Sequence, residues 1–296
     1  MDYSRFYARW FQFWYGQVTI SYHLSKLMVL ALPKPRHSQT EIAGYQLELD
    51  MHDLLQANLL LGNYWEPYFA AWWAYLSRSA RCVCDIGAHC GYYTLIAHRY
   101  APAGARIHAF EPNPAMSAQL RRTVALNALK GIDIVPDAVS DIRGSIVIYV
   151  RSVLEPGATS RMQALYADKQ VRVDAIALDD YCDEQGIDSV DLVKMDIEGG
   201  EIFAIEGMRR GLEQGRYKAI MLELHAGKVP PGSLEALLDL LRVSGLTVYE
   251  FSDTSVLPLA EGMPESSNYV MALSAETIAA IAPDGRIEAL DIPRVF

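Results

Sequence analysis

The 296-residue sequence has no long apolar run near its N-terminus, where the longest one, residues 27–32, is too short to cross a bilayer. It shows no secretory signal and no low-complexity tract. Hydrophobic residues make up 51% of the chain, which is ample for one large buried core. We therefore expect a folded, cytoplasmic protein.

Cysteine is also scarce, with four in the chain and neither a C-x-x-C pair nor histidines at a zinc-type spacing. Cys82 and Cys84 are separated by one residue on a predicted strand, so they cannot form a normal bridge to each other. We expect these two, together with Cys90 and Cys182, to be small buried residues in a reducing compartment.

The chain has fewer basic residues (26) than acidic residues (36), and its formal net charge is −10. An acidic surface is a poor partner for nucleic acid, because phosphate neutralisation needs clustered Lys and Arg, so we expect no nucleic-acid partner. The first 40 residues differ, since they contain five basic residues and one acidic residue. Such asymmetry is typical of an arm that meets an anionic surface, or of an arm that packs on its own acidic body.

Aromatic residues are concentrated in this arm, where they recur at steps of three and four on one helical face. They are Tyr3, Phe6, Tyr7, Trp10 and Trp14. We expect residues 1–45 to form an N-terminal helical arm and residues 46–296 to form the main domain. The aromatic face fits three partners: the inner membrane surface as a peripheral contact, the rest of the fold, or a second subunit in a homo-oligomer.

Strand and helix patterns alternate after residue 80, which predicts an α/β fold with a parallel sheet and helices on both faces. The predicted strands are Cys82–Ile86, Arg106–Phe110, Ile132–Pro136, Leu192–Met195 and Ala219–Leu224. The predicted helices are Tyr92–Arg99, Pro114–Asn127, Glu201–Glu213 and Leu234–Ser244. Further strands are predicted at "SIVIYV", "VRVDAIAL", "LTVYEF" and "YVMAL", the last two at the sheet edge.

The stretch "DIGAHCGYYT" forms a glycine-rich bend after the first of these strands, where doubly wound sheets bind ligands. It is neither the dinucleotide fingerprint G-x-G-x-x-G nor a P-loop, since no G-K-[ST] follows. Asp85 precedes Gly87, and a carboxylate there opposes a pyrophosphate and suits a cationic ligand. Gly87 and Gly91 predict close backbone approach, and we expect a side chain at 87 to fill space that the ligand needs.

Acidic residues also follow the next two strands, with Glu111 placed for ribose hydroxyls and Asp137 placed for an adenine amino group. Together they describe a nucleoside that carries a positive charge and no phosphate, as S-adenosylmethionine does. Each residue alone also fits simple turn chemistry, Glu111 as a helix-start residue and Asp137 as a turn residue.

The sequence resembles the FkbM family of S-adenosylmethionine-dependent methyltransferases over about residues 59–225. The matching stretches, in order, are "LLGNYWEP", "CDIGAHCGYYTLIA", "IHAFEPNP", "DAVSD", "ALDDY", "DLVKMDIEGGE" and "IMLELH". His89, Cys90 and Gly200 depart from the usual family pattern. The resemblance implies a class I methyltransferase, with a Rossmann-like seven-stranded sheet in the order 3-2-1-4-5-7-6.

The resemblance and the strand-end pattern together give a candidate site for S-adenosylmethionine. Its residues are Glu66, Asp85, Gly87, Ala88, His89, Gly91, Tyr93, Thr94, Glu111, Pro112, Asn113, Asp137, Ala138, Ser140 and Asp196. The resemblance implies that the acceptor is a hydroxyl of a sugar, glycolipid or natural product. The alternatives are N-methylation of a small molecule and an inactive nucleoside-binding module on the same fold.

Four residues after the fourth and fifth strands are the candidate catalytic groups: Asp196, Glu198, Glu223 and His225. Asp196 fits three roles: holding the methionine amine, orienting the acceptor hydroxyl or accepting its proton. His225 is a candidate base because an imidazole titrates near neutrality, although a strand-end histidine bonded to backbone is the simpler alternative. The acidic residues also suit magnesium, but nothing in the sequence requires a metal, and we expect none.

Overall fold

The computed structural model of the chain describes residues 37–51, 53, 56, 57, 59, 65–150, 159–161, 169–252, 255–264, 268–283 and 287. The predicted aromatic helix of the arm and its membrane, self-packing or oligomer contacts lie outside these residues and stay predictions. Residues 37–42, expected within the helical arm, instead form a strand. This strand, β1 (His37–Ile42), pairs antiparallel with β2 (Tyr45–Asp50), because the two segments alternate in burial and meet at a tight turn.

An eight-stranded sheet forms the centre of the molecule. In chain order its strands are β3 (Cys82–Ile86), β4 (Arg106–Phe110), β5 (Ile132–Val135), β10 (Leu192–Met195), β11 (Ala219–Glu223), β12 (Thr247–Phe251), β13 (Val256–Pro258) and β14 (Tyr269–Leu273). The sheet order is β5-β4-β3-β10-β11-β14-β12-β13. Short, continuously buried strands such as β10 are typical of a parallel sheet covered on both faces.

This order confirms the expected class I methyltransferase topology. Strands β3, β4, β5, β10 and β11 are parallel, and β14 runs antiparallel to both of its neighbours. When β13 is left out and the other seven strands are numbered in chain order, the sheet reads 3-2-1-4-5-7-6 from the β5 edge. The strand β13 adds an eighth member, because the chain after β12 turns back and pairs with it antiparallel.

The helices predicted to begin at residues 92, 114 and 234 are confirmed to within one residue at each end. The helices among the described residues flank the sheet. They are α1 (Pro67–Ser77), α2 (Tyr92–Tyr100), α3 (Pro114–Leu126), α4 (Leu178–Gln185), α5 (Glu201–Glu206), α6 (Arg209–Glu213), α7 (Ser233–Val243) and α8 (Ala275–Ile281). Two separate apolar clusters include residues from β3, β10 and β11, as expected for a sheet covered on both faces. None of the helices among the described residues is both long and apolar enough to cross a membrane.

The single helix predicted over Glu201–Glu213 is wrong, because the chain breaks it into α5 and α6 at Gly207. A Cβ atom at Gly207 would overlap the backbone oxygen of Ser140. Gly207 therefore lets the end of α5 pack directly on the loop after the third sheet strand.

A second, smaller sheet lies between β5 and β10 in the chain. Its strands are β6 (Ala138–Val139), β7 (Gly144–Val150), β8 (Thr159–Ser160) and β9 (Lys169–Ile176), in the order β6-β9-β7-β8. The predicted strands "SIVIYV" and "VRVDAIAL" are confirmed as β7 and β9, which pair antiparallel along their length.

Candidate active site

The bend after β3 brings two backbones into direct contact. Gly87 has a φ of 81°, and a Cβ atom there would overlap the backbone oxygen of Asp196 after β10. A Cβ atom at Gly91, which has a φ of 102°, would lie 2.5 Å from Leu120 Cδ1. From the sequence we expected a side chain at position 87 to fill space that the ligand needs. The structure shows that such a side chain would first overlap the protein's own backbone.

A buried lysine that sequence reasoning missed occupies the centre of the site. Lys194 Nζ donates a hydrogen bond to the Gly87 oxygen at 2.9 Å and lies 5.0 Å from the centre of the Tyr93 ring. It lies 3.6 Å from Asp85 Oδ1 and 3.9 Å from Asp196 Oδ2. The signal in the sequence was a lysine inside the otherwise apolar strand "LVKM", since lysine is almost never fully buried unless paired.

The charge of Lys194 is held by carboxylates on several sides. Burial alone would lower the pKa of Lys194, but the charges of Asp85 and Asp196, and then those of Glu66 and Glu111, outweigh burial and raise it. The lysine is therefore protonated at neutral pH. One buried cation therefore lies among four acidic side chains.

Asp85 is fully buried at the end of β3. Its Oδ2 accepts a hydrogen bond from Thr94 Oγ1 at 2.6 Å, and its Oδ1 has no hydrogen-bond partner among the described residues. Burial raises the pKa of Asp85, although Lys194 and Thr94 oppose that shift. The Asp85 carboxylate therefore gains from any further positive charge at this edge.

Glu66 immediately precedes α1 and is fixed by two tyrosine hydroxyls. Tyr93 donates to its Oε2 at 2.7 Å, and Tyr269, from β14, donates to its Oε1 at 3.1 Å. Burial and the charge of Asp196 raise the pKa of Glu66. Glu66, which was expected in the site, thus joins Asp85, Asp196 and Glu111 around Lys194, and we call this group the Lys194 cluster. Tyr269, which no sequence pattern had indicated, also reaches it.

Glu111 is buried at the end of β4 and holds the bend in place. Its Oε2 accepts from the backbone N–H of His89, and its Oε1 accepts from the backbone N–H of Asn113, both at 2.8 Å. Burial raises the pKa of Glu111, while the charge of His89 and these bonds oppose the shift. The helix α3 is capped by the side chain of Asn113, which accepts from the Ala115 N–H at 3.1 Å, and not by Glu111.

His89 adopts a left-handed conformation, with a φ of 51°. Its Nε2 lies 3.4 Å from Oδ2 of the buried Asp53, another residue that the sequence did not indicate. The side chain of His89 therefore forms an ion pair when protonated, and its backbone N–H serves Glu111.

His225 follows β11 and lies among four carboxylates. Its Nδ1 is 3.1 Å from Oε1 of Glu201, a fully buried residue that was not predicted for the site. Its Nε2 lies at 3.7–3.9 Å from one oxygen each of Asp196, Glu198 and Glu223.

The carboxylates around His225 change its titration. Burial disfavours the charged imidazole, but the hydrogen bond to Glu201 and the surrounding negative charges outweigh burial and raise the pKa of His225 to about 9. The imidazole is therefore protonated at neutral pH, whereas the sequence analysis expected it to titrate near neutrality.

Two further acidic residues, Glu223 and Glu198, lie beside His225. Burial, followed by the charges of Asp196 and Glu66, raises the pKa of Glu223 to about 8. Glu198, in a left-handed conformation with a φ of 58°, forms an ion pair with Lys228. The structure thus brings the four candidate catalytic residues together.

The residues expected after the third strand behave differently. Ser140 Oγ donates to Asp141 Oδ1 at 3.0 Å, and Ala138 lies in β6. Burial and the charge of Asp174 raise the pKa of Asp137, which is only partly buried. Within the described residues, no hydrogen bond or ion pair joins this group to the Lys194 cluster, so its place in the site stays a prediction.

Residues 85–245 match the Methyltransferase FkbM domain family, and the matched region contains the bend, Lys194 and the His225 cluster. The chain belongs to this family. The match confirms the resemblance found in the sequence motifs.

Two relatives of the family carry names that describe O-methyltransferases. The chain is 30% identical over 155 residues to 2-O-methyltransferase NoeI of Sinorhizobium fredii, an alignment covering 46% of this chain and 61% of NoeI. It is 27% identical over 205 residues to 31-O-demethyl-FK506 methyltransferase FkbM of Streptomyces tacrolimicus, covering 60% of this chain and 76% of that protein. The aligned part therefore spans about three fifths to three quarters of these relatives.

Solved structures also resemble this fold at low sequence identity. An O-methyltransferase from Bacillus cereus, in complex with SAH, is 10% identical, with a TM-score of 0.42 over 92% of this chain and 99% of that chain.

Proposed function

We propose that the protein is an S-adenosylmethionine-dependent methyltransferase that methylates a hydroxyl of a small molecule or glycan. Membership of the FkbM family supports methyl transfer. The names of the two relatives support an oxygen acceptor, because both describe O-methylation.

The observation that carries this proposal is the excess of carboxylates around one buried lysine. Asp85, Asp196, Glu66 and Glu111 all act on Lys194 at the carboxyl edge of the sheet. Such a site attracts a cation and repels a pyrophosphate, which disfavours NAD and nucleotide-sugars. A sulfonium and an amine are the charges that suit it.

The residues present fit S-adenosylmethionine, and each has a proposed part in binding it. The second lone pairs of the Glu111 oxygens are available to the ribose hydroxyls, because each oxygen accepts one backbone N–H. Asp85 and Asp196 offer negative charge to the methionine amine and the sulfonium. When bound, this cofactor supplies an electrophilic methyl group.

The chain's own residues then position the acceptor and remove its proton. His225 is protonated at neutral pH, so we assign it to orient the acceptor oxygen through an N–H donor. Glu223, whose pKa is raised to about 8, suits proton transfer, because an efficient base has a pKa near the working pH. Asp196 lies between the lysine and the histidine and is placed to contact both donor and acceptor.

Calorimetry with the full chain tests the cofactor part of the proposal. We expect S-adenosylhomocysteine to bind saturably, while NAD and a nucleotide-sugar do not. A variant with one exposed acidic residue removed, Glu213→Gln, should bind S-adenosylhomocysteine as the wild type does. Tighter binding of NAD or of the nucleotide-sugar would overturn the proposal.

A methyl-transfer screen with mass analysis of the products tests the acceptor. Sugars, glycolipids and polyketide alcohols form one arm, and primary amines form the other. We expect methylated hydroxyl products. Products methylated only on nitrogen would establish N-methylation, and cofactor binding without any product would favour a binding module.

A further inference from the structure

Three side chains at the carboxyl edge have the composition of a metal site. Asp196 follows β10, Glu201 begins α5, and His225 follows β11. Each offers one ligand atom, and these three atoms all lie within 4.8 Å of one another. Asp196 and Glu201 come from the connection after β10, and His225 comes from the segment after β11, so the fold brings two separate segments together.

A second observation concerns Glu201 alone. Its side chain is fully buried, and its Oε1 accepts from the backbone N–H of Ile197 at 3.0 Å. Its Oε2 is buried and has no hydrogen-bond partner among the described residues. An unpartnered buried carboxylate oxygen is costly, and a bound ion is one of the few arrangements that offset such a cost.

The spacing of the group also fits an ion. His225 Nδ1 and Glu201 Oε1 are 3.1 Å apart. Two adjacent ligands around an octahedral ion with bonds of about 2.1 Å are separated by roughly 3.0 Å. The Asp196 side chain is 27% exposed, so solvent ions can reach the group.

We propose that Asp196, Glu201 and His225 bind one divalent cation, and that binding releases one proton from His225 to solvent, because only a neutral imidazole can be a ligand. Two carboxylates and one imidazole suit Mn²⁺, because the carboxylates favour hard ions and the imidazole favours transition metals. This cation site stands without the proposed methyl transfer. Its use in the reaction, to bind the acceptor oxygen and make its proton more acidic, rests on the proposed function.

Electron paramagnetic resonance tests the site in the full chain after treatment with a chelator and its removal. The signal of free aqueous Mn²⁺ falls as the ion binds, so a titration gives both stoichiometry and affinity. We expect one Mn²⁺ per chain. Glu201→Gln, Asp196→Asn and His225→Ala should each weaken binding by at least tenfold, and Glu213→Gln should leave it unchanged.

Circular dichroism identifies any variant that fails to fold, and partly exposed Asp196 provides a test if the buried Glu201→Gln does so. Absence of saturable Mn²⁺ binding, or equal binding by folded variants and the wild type, would overturn the inference. Calorimetry with S-adenosylhomocysteine in the presence of chelator keeps the two proposals separate. Nucleoside binding without Mn²⁺ binding would reject only the cation site, and the reverse result would reject only the proposed function.

Discussion

Lys194 Nζ lies 3.6 Å from Asp85 Oδ1, and both side chains are almost completely buried. Neighbouring parallel strands bring them together, since residues 194 and 85 are directly paired in the register of β10 and β3. This pair links the strand before the bend to the strand that Asp196 directly follows. It lies below the surface of the site, where its charges are poorly screened by solvent.

Removal of the lysine should therefore destabilise the fold. We expect Lys194→Met to lower the free energy of unfolding at pH 7 by about 3–5 kcal/mol, because it leaves buried carboxylates without their cation. Chemical denaturation measures the change, and exposed Lys130→Met is the control. The double variant Lys194→Met/Asp85→Asn should recover part of the loss. A loss below about 1 kcal/mol would contradict the central role of the pair.

Two glycines with similar backbone conformations allow steric overlap to be separated from strain. Gly87 and Gly104 have φ values of 81° and 84°, but a Cβ atom at Gly104 meets nothing within 4 Å. We expect Gly104→Ala to cost about 1 kcal/mol for the left-handed conformation alone. Gly87→Ala should cost at least about 2 kcal/mol more, because the methyl group overlaps the Asp196 backbone. Equal losses in denaturation experiments would show that the two backbones can separate easily.

Glu111 should matter for the cofactor. We expect Glu111→Gln to weaken binding of S-adenosylhomocysteine at least tenfold, since a hydrogen bond to a charged group contributes about 1.5–3 kcal/mol. Calorimetry measures the affinity, and the melting curve shows whether the bend survives. Unchanged affinity in a folded variant would remove Glu111 from the nucleoside site.

His225 and Glu223 should make the free energy of unfolding depend on pH when no divalent cation is present. The pKa of His225 is raised from 6.5 to about 9, and that of Glu223 from 4.5 to about 8, so both bind protons more strongly in the folded state. Their stabilisation is complete below their unfolded pKa values and is lost as pH rises through the folded values. The free energy of unfolding should therefore fall between pH 5 and 9, by roughly 3 kcal/mol at most for His225.

Denaturation series at several pH values check this dependence. His225→Gln and Glu223→Gln should each flatten the plot of unfolding free energy against pH. The histidine variant should do so at higher pH than the glutamate variant. A wild-type curve that rises across this range would show that the acidic cluster does not hold the extra protons.

Asp196 should matter more for turnover than His225, because it contacts both the lysine side and the histidine side of the site. With an acceptor found by the product screen, we expect Asp196→Ala to slow single-turnover methyl transfer by about 10²–10⁴. His225→Ala should slow it less and leave S-adenosylhomocysteine affinity intact. A greater loss in His225→Ala would reverse the two assignments.

The sheet could be predicted from the sequence because each central strand is a short apolar run that ends at an acidic residue. Cys82–Ile86 and Leu192–Met195 were predicted with the observed bounds. The break in the helix at Gly207 could not be predicted, since Gly207 packs against Ser140, which is distant along the chain. Local sequence patterns carry no information about such an approach.

The same limit explains which site residues were missed. Residues at strand ends are predicted by the topology, which places all of them at one edge. Lys194 points into the site from within a strand, and Glu201 reads as an ordinary acidic residue in the first turn of a helix. Only the folded chain shows that both are buried among charged partners.

Tyr269 and Glu66 are 203 residues apart in the chain, and their hydrogen bond joins the two borders of the domain across the site. Both lie outside residues 85–245, the segment that carries the family signature. A fragment trimmed to that segment would retain the bend, Lys194 and His225 but would lose the acid that Tyr93 binds. The site thus needs residues from both sides of the family segment, and a nascent chain cannot complete it until β14 has been synthesised.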